Sequence, residues 1–276
     1  MGTTVSKSFW HKYHERYHQL RSHVCIGLDS QLDKLPPCLK DAANPIRDFN
    51  KAIIKATQDY ATAYKPNLAF YLSDGLRGLA ALYDTVASIP PEIPVILDCK
   101  VGDIGSTMAA YSQAFFKDLK VDAITINPLM GTDVLKPILE LDASFAFALA
   151  LTSNPSAKDF FHEQHLKQMI PRWMKDYPVE RLGAVVGATQ VADLKVMRQS
   201  LPDRLFLVPG VGAQGGDLQA VLTHATAGNA EPRILINSSR GIIFASSDED
   251  YAEAAGEAAR QLFEACLPDY SRPAGL

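Results

Sequence analysis

The chain has 276 residues, with 27 Lys and Arg against 31 Asp and Glu for a formal net charge of −4, and it is 47% hydrophobic. This composition excludes a disordered chain, a collagen-like fibre and a disulfide-stapled mini-protein, and the chain is long enough to bury a sizeable core. A slightly acidic balance argues against a nucleic-acid binder that works by neutralising phosphates, and no apolar run reaches the roughly 18 residues of a spanning helix.

The N-terminal stretch, rich in His, Tyr and Lys, lacks the apolar centre of a secretory signal. Met1-Gly2-Thr3-Thr4-Val5-Ser6 satisfies the loose myristoylation pattern, but a single acyl chain anchors weakly and the segment is not read as an anchor. A helix is expected from about Ser6 to Arg21, lying across the bottom of the fold. His11, His14 and His18 on it, like His162 and His165 further on, read as solvated or packed rather than metal-binding, since none comes with a carboxylate at a strand end. Cys25, Cys38, Cys99 and Cys266 show no CxxC spacing, so a reducing compartment, the cytoplasm, is expected. Cys25 and Cys99 sit in apolar runs, where a thiol behaves as a small hydrophobe.

Strands are expected at Val24–Leu28, Ala63–Phe70, Ile93–Asp98, Ala123–Ile126, Phe145–Leu151, Gly183–Val186, Leu205–Val208 and Ile234–Ile236, each followed by turn residues. Amphipathic helices fit Ile46–Tyr60, Gly75–Ser88, Ser106–Leu119, Val191–Ser200 and Leu218–Ala225. Continuous apolar strands alternating with helices imply a parallel sheet covered by helices, and eight such units fit a (β/α)8 barrel. A doubly wound sheet is the competing architecture, though it usually needs fewer strands. No linker divides the chain, so one α/β domain spanning residues 1–276 is expected, with its barrel core at about 23–245. Thr152–Val179 is the longest insertion.

Barrel enzymes carry their chemistry at the C-terminal ends of strands. The third strand ends Asp98-Cys99-Lys100-Val101-Gly102-Asp103, and side-chain alternation puts Asp98 and Lys100 on one face with Cys99 toward the helices. Lys65, ending the second strand, brings a second ammonium to the same mouth, and Asp103 a second carboxylate. A structural ion pair plugging the barrel is the plain alternative. Desolvating a buried pair costs several kcal/mol, however, which makes four converging charges a poor packing device.

Asp98-x-Lys100-x-x-Asp103-Ile104-Gly105-Ser106-Thr107 resembles the signature of the orotidine 5′-phosphate decarboxylase family. The flanking segments resemble its longer bacterial type: Lys65-Pro66-Asn67-Leu68-Ala69-Phe70-Tyr71, Thr125-Ile126-Asn127-Pro128-Leu129-Met130-Gly131, Pro209-Gly210-Val211-Gly212-Ala213-Gln214-Gly215-Gly216-Asp217 and Asn237-Ser238-Ser239-Arg240-Gly241. The likeness runs in order from about Val24 to Phe244. One departure is Val101, where a long side chain such as Arg is common; its side chain is expected to point away from the ligand.

The resemblance implies loss of CO2 from orotidine 5′-phosphate to give UMP, without cofactor or metal. It implies that Lys100 protonates C6, that Asp98 lies by the departing carboxylate, and that Lys65 bridges Asp98 and a ribose hydroxyl. It further implies that Asp103 and Thr107 reach into a neighbouring subunit, so that the active site is shared across a homodimer; a helix cap is the local alternative for Asp103. Asp29 is expected on ribose hydroxyls or in an Asx turn, Ser153 on the pyrimidine edge or initiating a turn, and Asn127 orienting the lysines or turning the chain before Pro128. Gly212, Gln214 and Arg240 are expected on phosphate, with the Gly-rich loop as lid. Gly210-x-Gly212-x-x-Gly215 also matches a dinucleotide fingerprint, but no nicotinamide motif accompanies it. Two further readings stay open. A metal-dependent sugar-phosphate decarboxylase or aldolase of the same superfamily would need a carboxylate where Lys65 stands. A non-catalytic nucleotide-monophosphate sensor would not need two ammonium–carboxylate pairs.

Overall fold

Eight apolar segments pair as parallel strands: β1 Val24–Leu28, β2 Ala63–Pro66, β3 Ile96–Val101, β4 Ala123–Ile126, β5 Phe145–Leu151, β6 Leu182–Val186, β7 Phe206–Pro209 and β8 Ile234–Ser238. The computed structural model describes residues 7–161, 163–187, 191–211, 217–226 and 233–267. Strand order is β2-β1-β8-β7-β6-β5-β4-β3. Bridges Tyr64↔Val95 and Asn67↔Asp98 return β2 to β3, so the sheet closes into the expected barrel. The surrounding helices are α1 Phe9–Leu20, α2 Pro45–Thr57, α3 Leu68–Leu72, α4 Gly75–Ser88, α5 Gly105–Ser112, α6 Thr132–Leu139, α7 Gln164–Met174, α8 Val191–Ser200, α9 Leu218–Thr226, α10 Arg240–Ile243 and α11 Tyr251–Cys266. Among the described residues no helix is long and apolar enough to cross a membrane.

Several boundaries differ from the sequence reading, and three of them have a clear physical reason. β2 stops at Pro66 rather than Phe70, because Asn67 caps α3 by accepting a hydrogen bond from the Ala69 N–H at 3.2 Å. β3 starts at Ile96 rather than Ile93: Pro94 has no N–H for a ladder, and the Val95 N–H donates to Asp122 Oδ2 at 2.9 Å. The helix expected over Ser106–Leu119 is α5 followed by a wider π turn, Gln113–Asp118. Within the long insertion lie a 3-10 turn, Pro155–Asp159, and α7.

Alternation along each strand separates two cores. Outward residues such as Ile26, Ile124, Ala148 and Phe206 pack against helices, while Cys25, Ala63, Ile96, Ala123, Phe145, Phe147, Leu207 and Leu235 fill the barrel. Large Phe147 faces Gly183, where any Cβ would lie 2.8 Å from its ring; the glycine is the space the phenyl needs. The bottom is closed by α1, as the sequence suggested. Its Phe9 ring lies 4.6 Å from Phe145 and meets Phe147 edge-on at 5.5 Å. Burying a side chain of this size contributes roughly 2–3 kcal/mol. Two arginines, Arg198 on α8 and Arg204 just before β7, are buried. Arg198 donates to the carbonyls of Ala225, Leu201, Pro202, Arg204 and Arg233, and Arg204 to those of Met174, Tyr177, Pro178 and Leu182. Each guanidinium thereby satisfies carbonyls left over at helix ends and turns.

His23, just before β1, is fully buried and stacked 5.2 Å from Tyr17. Burial pushes its imidazole down to about 4, the backbone contact with Ile234 only partly opposing it. The native state therefore favours the neutral ring. This contribution is whole above the ordinary value of 6.5 and is lost as pH falls toward about 4, because the unfolded chain takes up the proton first. Urea midpoints measured from pH 7 to pH 4.5 should fall, by up to about 3 kcal/mol of stability, and the fall should be shallower in His23→Leu. Parallel curves for the two proteins would remove His23 as the source.

Candidate active site

At the C-terminal mouth of the barrel the inward side chains change from apolar to charged. Asp98 sits between two ammonium groups: Lys65 Nζ donates to its Oδ2 at 3.0 Å and Lys100 Nζ to its Oδ1 at 2.5 Å. Lys65 is buried, held from β2 beside Gly27, whereas the Lys100 side chain is half exposed over the cavity. Burial alone would raise the Asp98 carboxyl, but Lys65 and then Lys100 hold it well below the usual carboxylate range. Burial likewise works against the Lys65 charge, and Asp98, with Asp29 behind it, more than restores it, so Lys65 is held above its ordinary value. The array is charged before anything binds.

Plain alternation is not what delivers Lys100. The β3–β4 register slips between Leu97 and Val101, and Lys100 adopts a left-handed backbone with φ 48°. Such a conformation costs a residue with a Cβ about 1–3 kcal/mol and persists where its surroundings over-determine it. Cys99 does face the helix layer, its Sγ donating to Thr125 O at 3.4 Å, and burial pushes its thiol up to about 12. Val101 packs on the helix side as well.

A cavity of about 480 Å³ opens above this array, lined by Lys65, Asp98, Lys100 and Thr125 together with Thr152, Ser153, Asn154, Phe160 and Phe161 of the insertion. Ser153 thus shares a cavity with the lysines. A second, adjoining cavity of about 160 Å³ is lined by Asp29, Asn67, Gly210, Asn237, Ser239 and Arg240, and shares Lys65 and Asp98 with the first. Gly27 allows this corner to form: a Cβ there would lie 2.6 Å from that of Ser239, whose hydroxyl donates to Asp29 Oδ2 at 2.6 Å. Asp29 Oδ1 and Asn237 Oδ1 are buried without hydrogen-bond partners among the described residues, two acceptors at the edge of this cavity.

Not every expected residue joins these cavities. Asp103 accepts from its neighbour Ile104 N–H at 2.8 Å, one residue ahead of the α5 cap position, and neither it nor exposed Thr107 lines either space. Asn127 accepts from the Leu129 N–H at 3.2 Å, the turning arrangement, and lies outside both linings. Gly212 and Gln214 lie outside the described residues, as does His162. Thr125, Ser239 and Asn237 were not singled out from the sequence; a polar residue amid an apolar strand, as in Ile234-Leu235-Ile236-Asn237, was the available signal for the last. Among the described residues no three His, Cys, Asp or Glu side chains converge as metal ligands would.

Fold and site together define a (β/α)8 barrel with a preformed ammonium–carboxylate array at the end where such barrels carry their chemistry. Residues 22–255 match the model of the orotidine 5′-phosphate decarboxylase / HUMPS family, and the chain belongs to that family. It is 44% identical to an orotidine 5′-phosphate decarboxylase of Herpetosiphon aurantiacus over 91% of this chain and 95% of that one. With one of Porphyromonas gingivalis it shares 43% over 89% and 92%. Among solved structures it is similar to Leishmania donovani OMP decarboxylase, with TM-score 0.77 and 34% identity over 93% and 99% of the chains. It is also similar to the UMP synthase of that organism, with TM-score 0.79 and 35% identity; the match covers 94% of this chain and 57% of the longer one.

Among the described residues Asp98 is the carboxylate that both ammonium groups share, so removing it strands Lys65 in the barrel. Asp98→Ala should lose about 3–5 kcal/mol in a denaturant titration, while Lys65→Met combined with Asp98→Leu should recover most of that loss. A single variant as stable as the parent would show that the array does not constrain Lys65.

Proposed function

We propose that this chain decarboxylates orotidine 5′-phosphate to UMP and CO2, a step of pyrimidine nucleotide synthesis, in the cytoplasm and as one catalytic barrel domain. The observation that carries the reading is the Lys65–Asp98–Lys100 array in a chain of this family. The reaction leaves an electron pair at C6 in the plane of the pyrimidine, where the π system cannot accept it. Fixed charges must therefore do the stabilising. The Lys100 ammonium faces the developing carbanion; as the C6–carboxylate bond breaks, its Nζ–H proton passes to C6, and solvent returns a proton to the amine. Asp98 keeps Lys100 aimed, and stands near the departing carboxylate. Lys65 holds Asp98 from beneath.

The remaining contacts follow the two cavities. Ser153 takes the pyrimidine edge. Asp29 accepts from ribose hydroxyls through Oδ1, which has no partner among the described residues, and Asn237 offers a second acceptor in the same cavity. Arg240, exposed at the start of α10, supplies a fork for phosphate together with Gly212 and Gln214. Binding energy from this remote group supports loop closure over the reacting end.

Asp103 and Thr107 are assigned to the site of a second copy of the chain. Leu72, Leu76, Ile104, Leu129 and Met130 are exposed apolar residues that follow β2, β3 and β4, one side of the barrel mouth, and a homodimer would cover them there. The metal-dependent alternative is disfavoured by Lys65: a buried, charged ammonium occupies the strand end where a cation would need a carboxylate.

Purified protein should bleach the near-ultraviolet absorbance of orotidine 5′-phosphate with EDTA present. Lys100→Ala should abolish this turnover while UMP binding, followed by calorimetry, persists; a variant that still turns over would remove the mechanism. Lys100→Ala and Asp103→Ala, each inactive alone, should regain up to about a quarter of wild-type activity when mixed and exchanged, since one site of the mixed dimer is intact. Mixtures that stay inactive would refute the shared site.

A further inference from the structure

We infer that Thr125, in the middle of β4, is a positioning residue for the reaction proposed above: its hydroxyl fixes the strand deformation that aims Lys100. The inference rests on that reading of the site.

In a regular parallel ladder, N–H groups of one strand find carbonyls on the next. Between β3 and β4 this pairing runs through Leu97↔Ile124 and resumes at Val101↔Ile126, so β3 advances four residues while β4 advances two. The surplus forces Lys100 to φ 48° and turns the Cys99 and Lys100 N–H groups toward the Thr125 side chain. Thr125 Oγ1 accepts from both, at 3.0 and 2.9 Å, and donates its own proton to Asp98 Oδ1 at 2.9 Å. A hydroxyl has one proton and two lone pairs, and here all three are engaged by consecutive residues of β3. One atom thus ties down the carboxylate, the backbone of the bulge and the residue that carries the ammonium.

Thr125 is 1% exposed, so water does not stand in for it. Valine would keep its volume and branching but supply neither proton nor lone pair. The half-exposed Lys100 side chain has its ammonium on the same Asp98 oxygen that Thr125 holds. Loosening that oxygen and the bulge moves the ammonium. The groups assigned to ribose, phosphate and pyrimidine follow other strands and stay in place, so the chemical step should suffer and ligand binding should not.

The test compares decarboxylation and UMP binding in wild type, Thr125→Val and Thr125→Ser. T125V should lose about 10–100-fold in kcat, the scale of a displaced reacting group, with KM and the UMP Kd within about threefold. T125S, which restores the hydroxyl and lacks only the methyl, should bring kcat back to within about threefold of wild type. Equal losses in T125S and T125V, a T125V kcat at the wild-type level, or a loss that falls on KM and Kd would each overturn the inference. Should T125V fail to fold, Thr125→Cys, of similar size and feeble hydrogen bonding, takes its place with the same expectation. A wild-type chain inactive on orotidine 5′-phosphate would defeat the functional reading instead. Crystal structures would then decide on Thr125 alone: Lys100 leaving its left-handed conformation in T125V or T125C supports the inference, and its retention with the Asp98 contact overturns it.

Discussion

The carboxylate of Asp98 is the point on which the mouth of this barrel depends. Two ammonium groups of unequal freedom share it, Lys65 locked in the interior and Lys100 standing half in solvent. Lys65 and Asp98 are not stable there without each other, because an uncompensated ion inside a protein costs several kcal/mol. The three charges therefore define one another's positions, and the site exists as a unit or not at all. As a source of stability this is a poor arrangement, since an apolar trio would pack as well without desolvating anything. Its value is that the field at the cavity is set before a ligand arrives, which a reaction generating a localised anion requires.

A fixed field needs a fixed scaffold, and the two ends of the barrel divide the labour. The lower end is built from contacts with little freedom: the phenyl rings of Phe9, Phe145 and Phe147 interlock, and Arg198 and Arg204 gather carbonyls from several turns. The upper end carries the surplus residues of β3, a left-handed lysine, buried acceptors without partners among the described residues, and a charge cluster. Left-handed residues stand at the base too, at Arg21, Lys120 and Ala143, but Lys100 is the one that joins the charged array, the placement expected where strain serves a site.

The architecture was legible because strands buried on both faces leave continuous apolar runs, and eight such runs between amphipathic stretches admit few arrangements. The gathering of Asp98, Lys100 and Lys65 was legible too, although the reason offered for Lys100 was incomplete. Alternation would place Lys100 inward on an ideal strand; the actual strand is bulged, and Lys100 reaches the cavity through a backbone conformation that no residue pattern announces. Thr125 was invisible for a related reason. In Ala123-Ile124-Thr125-Ile126 it reads as one more β-branched strand former, and only the slipped register gives its hydroxyl three partners. Arg198 and Arg204 were missed because a guanidinium on a helix or turn looks solvated until the carbonyls around it are seen.

Asp103 and Thr107 bear on what a single chain can and cannot accomplish. Both lie beyond the end of β3 and line neither cavity, while Lys100, only three residues before Asp103, is drawn inward by the bulge. Past the bulge the strand regains its pairing at Val101↔Ile126 and the chain then enters the α5 cap at Ile104, so Asp103 stands apart from the cavity that Lys100 lines. A carboxylate on that outgoing segment is therefore spent either on its own backbone, as in the Ile104 contact, or on another molecule. Exposed Ile104 beside it, with Leu129 and Met130 after β4, gives the outgoing segment an apolar setting that favours the second use. In the proposed function β3 would then act as a divider, its bulge holding Lys100 over the cavity of its own chain while Asp103, which lines neither cavity, would be left for the second copy proposed above.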